Sequence, residues 1–76
     1  MEQGSVTLSG FLKDKRKKLN LTQQQLAEKA GVGLRFIRDL EQGKTTLRMD
    51  KVNQVLKLFG HELGPQPLNR EKLINE

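Results

Sequence analysis

The chain has 76 residues, no cysteine, and a formal net charge of +5 from 14 Lys and Arg against 9 Asp and Glu. This length allows one small domain, and the lack of cysteine excludes both a disulfide framework and a thiolate metal site. A basic balance favours a polyanionic partner. No apolar run approaches the roughly 18 residues that a membrane span needs, and no signal peptide is recognised. We therefore expect a soluble, cytoplasmic protein without membrane contact.

The first predicted helix runs from about Val6 to Leu19, after a polar amino-terminal stretch. Its apolar face consists of Leu8, Phe11, Leu12 and Leu19. Arg16 lies on the same stripe, where an unpaired charge is costly to bury. Its side chain must therefore either find an acidic partner or extend along the surface to reach solvent.

The second predicted helix has firm signals at both ends. Thr22 can cap its first turn, and Gln25, three residues later, completes a capping box. Gly31 should end the helix, because glycine adopts the left-handed conformation at little cost.

The third predicted helix runs from about Leu34 to Gln42, with Gly33 as a weaker cap and Gly43 closing it. Its apolar stripe is Phe36, Ile37 and Leu40, and its opposite, polar face carries Arg35, Arg38, Asp39 and Gln42. A helix with this division packs one face on a core and presents the other to a polar surrounding.

A polar loop, residues 44–48, leads to a last predicted helix from about Met49 to Phe59, which Gly60 terminates. Its expected core residues repeat at helical spacing and are Val52, Val55, Leu56 and Phe59. A short extended segment is possible around residues 61–63, and the two prolines that follow exclude a long strand. We place the domain at residues 1–63 and a Pro-containing polar tail at residues 64–76.

Catalysis finds no support in the residue types present. One histidine and no cysteine allow neither a His/Cys metal cluster nor a Cys–His dyad. Gly31 and Gly33 lack the spacing of a phosphate-binding loop. We therefore expect no enzyme activity, no catalytic residue, no metal and no cofactor, and we interpret His61 as a surface or dimer-edge residue.

The segment from Leu21 to Gly43 resembles the helix-turn-helix of the phage repressor/Cro (XRE-type) family. The resemblance rests on Ala27 as the small residue of the first helix, Gly31 as the glycine of the turn and Gln23 at the first helical position. The apolar residues at the family's spacing are Leu26, Val32, Ile37 and Leu40. The segment closes with the acid-x-glycine pattern, Glu41-Gln42-Gly43. The match covers about residues 8 to 60, and it departs at Gly33, where the family often has Ser or Thr. The resemblance implies an all-α, small repressor-like domain of four to five helices with a short extended or disordered carboxyl-terminal tail.

The same resemblance implies that the second helix of the motif enters the major groove of double-stranded DNA. The residues placed over the bases are then Leu34, Arg35, Arg38 and Asp39, and the expected phosphate contacts are Gln23, Lys44, Thr45 and Arg48. Either arginine can donate two hydrogen bonds to a guanine. Asp39 could accept from a cytosine or orient Arg35, and we favour the orienting role. The resemblance also pairs Arg16 with Glu41 as a buried structural ion pair.

These features favour a function as a sequence-specific transcriptional regulator that acts as a repressor. We expect a homodimer on a palindromic operator, with an interface formed by Phe59, His61, Leu63 and Leu68. In so small a core, Leu63 and Leu68 have no obvious partner. The LFGHEL segment also resembles part of the HipB-like antitoxins, which implies a kinase-like toxin as a further partner. The alternative is a protein-interaction module of the same fold that neutralises a toxin or another partner without DNA.

Overall fold

A computed structural model describes residues 7–67 of the chain. In chain order the elements are α1 (Leu8–Lys18), α2 (Gln23–Ala30), α3 (Leu34–Glu41), α4 (Met49–Leu56) and a 3₁₀ helix (Lys57–Phe59). No strand occurs within that range, and the predicted all-α fold is confirmed. Val6 and the part of the predicted tail from Leu68 onward lie outside the described residues. No helix in the described range is long and apolar enough to cross a membrane.

Helix α1 begins after Thr7, whose hydroxyl accepts a hydrogen bond from the Gly10 amide at 3.0 Å. Leu12 is buried on its inner face, but Leu19 is 58% exposed, so its assignment to the core face was wrong. The reason is that α1 ends at Lys18 and the chain then turns through Asn20, which has a φ of 57°. The Leu19 amide still donates to the Lys15 carbonyl at 3.2 Å, so Leu19 follows the helical path, but it lies at the very end of α1, where the chain turns away and leaves its side chain largely uncovered.

Helix α2 has the predicted boundaries. The Thr22 hydroxyl accepts from the Gln25 amide at 3.0 Å, and the Gln25 side chain accepts from the Thr22 amide at 2.8 Å. These two bonds form the expected capping box. At the other end Gly31 has a φ of 75°, and the amide of Val32 donates to the carbonyl of Ala27 at 3.0 Å. This left-handed end sets the sharp turn between α2 and α3.

Helix α3 begins after Gly33, which provides no side-chain cap, and ends at Glu41, one residue earlier than predicted. Gly43 has a φ of 82°, and its amide donates to Leu40 while the amide of Lys44 donates to Asp39 at 3.1 Å. This pair of bonds is the Schellman arrangement. It folds Lys44 back over the last turn of α3.

The core lies where the four helices meet. Its buried apolar residues are Leu12, Leu26, Ala27, Ala30, Ile37, Leu40, Val52, Val55 and Leu56. Phe59, which we also expected in the core, is half-buried and packs against its edge. The α-helical hydrogen bonding of the last predicted helix stops at Leu56, and the 3₁₀ turn that follows carries Phe59 away from the inner face of α4.

Two polar side chains of α4 fasten neighbouring segments, and the sequence analysis did not single them out. The Gln54 amide donates to the carbonyl oxygens of Ala30 and Gly31 at 2.8 and 3.1 Å. Asn53 accepts from the amide of Leu63 at 2.7 Å. Leu63 therefore packs partly against the core, and the expectation that it lacks a partner was wrong.

Candidate nucleic-acid interface

Three helices meet at a polar network built around Glu41, the last residue of α3. Arg16 Nε of α1 lies 2.6 Å from Glu41 Oε2, and Arg16 Nη2 lies 3.0 Å from Glu41 Oε1. Gln23, the first residue of α2, donates from Nε2 to the same Oε1 at 3.1 Å. The Arg16 Nη1 group also donates to the carbonyl of Leu21 at 2.9 Å. The network therefore fixes the amino-terminal end of α2 and the carboxyl-terminal end of α3 on α1.

The charges in this network stabilise each other. Burial by itself raises the pKa of Glu41, but the hydrogen bonds from Arg16 and Gln23 outweigh it and hold that pKa below its ordinary value. The hydrogen bond to Glu41 raises the pKa of Arg16 above its already high value. Within residues 7–67, no buried side-chain nitrogen or oxygen is left without a hydrogen-bond partner. Both groups of the pair are therefore charged at neutral pH.

The outward face of α3 carries two arginines next to each other on the surface. Arg35 and Arg38 are exposed, and Leu34 beside them is half-buried. Within residues 7–67, neither guanidinium makes an ion pair or hydrogen bond with another side chain. The opposite face of the same helix is anchored by buried Ile37 and Leu40. The helix thus presents two available, always-charged donors on a rigid support.

The structure pairs Asp39 with a partner other than the one we favoured. Asp39 Oδ2 lies 3.6 Å from Lys44 Nζ, and the described ion pairs include none between Asp39 and Arg35. The physical reason is the end of α3, where the turn at Gly43 brings Lys44 back beside Asp39. In the described residues Asp39 therefore makes a contact between α3 and the loop that follows it, and its role toward Arg35 stays a prediction.

The other residues that we predicted to contact phosphate differ in whether their side chains already have a partner within the protein. Arg48 is exposed and makes two contacts with Asp50, at 3.1 and 2.6 Å. Those contacts lower the pKa of Asp50. Thr45 is exposed in the loop before α4. The side chain of Gln23 is hydrogen-bonded to Glu41. The phosphate contact predicted for Gln23 therefore falls to its main-chain amide, at the start of α2.

The predicted dimer residues are placed as follows. His61 is exposed, its ring meets the Phe11 ring edge-on at 4.8 Å between centroids, and its Nδ1 donates to the Phe59 carbonyl at 2.7 Å. Phe59 and Leu63 are half-buried, and Leu68 lies outside the described residues. The sequence analysis missed Leu58, which is 44% exposed. A shallow groove is lined by Leu19, Leu21, Lys29, Leu58 and Phe59.

Comparison with known proteins agrees with this architecture. A family model described as helix-turn-helix (HTH_3) matches residues 12–64, more than half of the chain. A curated relative from Sinorhizobium fredii (strain NBRC 101917 / NGR234), named "Uncharacterized HTH-type transcriptional regulator y4mF", is 60% identical over 45 residues. The aligned part is 59% of this chain and 59% of the relative, so the match spans less than two thirds of the relative's length. On the family match, supported by the geometry of α2, the turn and α3, this chain belongs to the helix-turn-helix family.

Proposed function

We propose that this protein is a sequence-specific regulator of transcription that inserts α3 into the major groove of double-stranded DNA. The observation that carries the proposal is the pair of exposed arginines, Arg35 and Arg38, on the outward face of a helix whose other face is buried. A guanidinium offers the bidentate geometry that reads the O6 and N7 atoms of guanine. The regulatory role printed in the relative's name supports the same proposal.

The surroundings of α3 suit a polyanion. Lys44, Thr45 and Arg48 lie in the loop between α3 and α4, and all three are exposed. Cations beside a base-reading helix set its register and contribute most of the salt-dependent affinity. A protein-interaction module that does not bind DNA would favour an apolar or acidic outer face on α3, and the basic face supports DNA instead. The antitoxin hypothesis adds a toxin partner to this DNA-binding role and stays a prediction.

We further propose that the protein binds as a homodimer. The interface that we infer keeps Phe59 and His61 from the sequence-based prediction. It adds Leu19 and Leu58, whose exposed apolar side chains line a groove together with Phe59. No residue lining that groove belongs to α3 or to the loop after it. A second copy bound there leaves the basic helix uncovered. Two copies related by a two-fold axis then present two such helices, which a palindromic site requires.

The test of the proposed function is selection of duplex DNA from a randomised pool by the full chain, repeated at a low and a high stated salt concentration. We expect one enriched motif with two inverted half-sites. The affinity should fall steeply with salt for all sequences, while the preference among sequences persists. Recovery of unenriched sequences at both salt concentrations would overturn sequence-specific binding.

A further inference from the structure

Asp39 and Lys44 form an ion pair on the surface where α3 meets the following loop. Asp39 Oδ2 lies 3.6 Å from Lys44 Nζ, and the Asp39 side chain is 24% exposed against 52% for Lys44. Their main chains are also joined, because the Lys44 amide donates to the Asp39 carbonyl at 3.1 Å. The helix end itself thus makes the two residues neighbours, and the lysine side chain keeps half of its surface open to solvent.

The chemistry of the two groups decides what this pair can do beside DNA. A lysine ammonium has three donors, so one can face Asp39 while two remain for a phosphate oxygen. A carboxylate that approaches the phosphate backbone without a cation is repelled. Asp39 shares the outward side of α3 with Arg35 and Arg38, so its charge must be balanced when that side meets DNA.

We propose that Lys44 bridges Asp39 and a backbone phosphate, and that Asp39 is a positioning residue for Lys44. In this arrangement Asp39 aims the ammonium at the backbone, and Lys44 neutralises the acid on the base-reading helix. The bridge sets how deeply α3 enters the major groove, because it holds the end of that helix at a fixed distance from one backbone phosphate. This inference rests on the proposed function, and it assigns Asp39 a role distinct from reading a cytosine.

The bridge predicts how the two residues depend on each other. Lys44→Gln removes a phosphate contact and also leaves the Asp39 carboxylate facing the DNA without its cation. Asp39→Asn in the same chain removes that repulsion, so the second substitution should rescue the first. A carboxylate that reads a cytosine predicts the opposite, because its loss would change the preferred base and would rescue nothing.

The experiment measures the affinity of full-length wild type, D39N, K44Q and D39N/K44Q for the selected operator and for a scrambled duplex over a salt series. We expect K44Q to lower the slope of log affinity against log salt by about 1. We expect D39N to restore affinity to the K44Q chain by about fivefold or more, within the range of coupling between residues in contact. The preferred sequence of D39N should equal that of the wild type. Thermal unfolding of all four proteins checks that the folded state is unchanged.

A matched control is the pair of Asp14 and Lys18 on α1, whose charged atoms lie 3.2 Å apart and whose side chains are 61% and 69% exposed. D14N should not rescue K18Q, since that pair lies on another helix. Additive effects of D39N and K44Q, or a changed base preference in D39N, would overturn the bridge while DNA binding itself stands. Lack of sequence-specific binding by the wild type would overturn the proposed function and the bridge with it.

Discussion

Arg16 and Glu41 are 25 residues apart in the chain and meet in a two-point contact, Nε to Oε2 at 2.6 Å and Nη2 to Oε1 at 3.0 Å. The Glu41 side chain is 3% exposed and that of Arg16 is 14% exposed. Neither charge can be left in such a place alone, because removing a charged group from water costs several kcal/mol. The pair therefore links α1 to the end of the helix that we propose reads DNA.

Truncating one partner of this pair should destabilise the domain strongly. We expect Arg16→Ala to lower the free energy of unfolding by about 3–5 kcal/mol, because Glu41 is left buried with Gln23 as its remaining side-chain donor. Glu41→Ala should cost less, since Arg16 is nearer to solvent and keeps the Leu21 carbonyl. Urea unfolding of both single variants and the double variant gives the coupling energy. A coupling energy near zero would contradict a mutual dependence of the two charges.

The pair also predicts a dependence of stability on pH. In the folded protein the pKa of Glu41 lies below its unfolded value of about 4.3. Its stabilisation is therefore fully present above that value and is lost as the pH falls through the lower, folded pKa. Between about pH 6 and about pH 3, the free energy of unfolding of the wild type should fall more steeply than that of E41Q. Parallel curves for the two proteins in urea unfolding would show that Glu41 does not titrate this way.

Local signals in the sequence were sufficient for α2 and its turn. The capping box at Thr22 and the left-handed Gly31 depend on residues within one helical turn of each other, so no tertiary contact is needed to predict them. The error at Leu19 has the opposite origin. Helical periodicity gives the side of the helix on which a side chain lies, but whether another segment covers that side chain at the helix end depends on tertiary packing, which the pattern does not show.

Side-chain partners across the fold were harder to predict than the helices that carry them. The pairing of Arg16 with Glu41 was expected from the resemblance to a family, because periodicity alone put a charge on an apolar face without naming its partner. For Asp39 we favoured Arg35, one turn away on the same helix, whereas the turn at Gly43 brings Lys44 within ion-pair distance of it. Gln54 contacts main-chain carbonyls of α2, which carry no sequence signature.

Two glycines that stand two residues apart in the turn should respond oppositely to substitution. Gly31 has a φ of 75°, and an added Cβ would lie 3.1 Å from Gln54 Nε2. Gly31→Ala should therefore cost about 1–2 kcal/mol from the left-handed conformation alone. Gly33 has a φ of −77°, and an added Cβ meets nothing within 4 Å. Gly33→Ser should stabilise α3 by roughly a few tenths of a kcal/mol, because the serine hydroxyl can cap its first turn. Thermal unfolding measures both, and a loss of stability in both variants would contradict the distinction.

The arginines of α3 should determine base preference. Arg35→Ala and Arg38→Ala should each cost about 1–3 kcal/mol of discrimination at a defined position of the operator. Competition between the selected operator and single-base variants measures this loss. Lys57→Ala removes an equal charge from the 3₁₀ helix and serves as the control, because Lys57 lies outside α3 and its loop. If Arg35→Ala weakens all sequences equally, as loss of a phosphate contact would, the proposed placement of α3 over the bases is wrong.

The proposed dimer makes affinity depend on the spacing between half-sites. One short recognition helix contacts little DNA surface, and a rigid dimer joins two weak half-site interactions at a high effective concentration. Symmetry sets the half-sites about 34–36 Å apart, one turn of the duplex. Inserting about five base pairs places the half-sites on opposite faces of the duplex, so tight binding should be lost.

The matching protein variant is Leu58→Glu, which puts a charge into the exposed apolar groove without touching α3. In sedimentation experiments it should be a monomer, because two buried carboxylates would face the same interface. Its affinity for the intact operator should fall to that of the wild type for an isolated half-site, while its base preference is retained. Undiminished wild-type binding to the lengthened operator would refute the dimer. A Leu58→Glu protein that remains dimeric would instead show that the second copy binds at another surface.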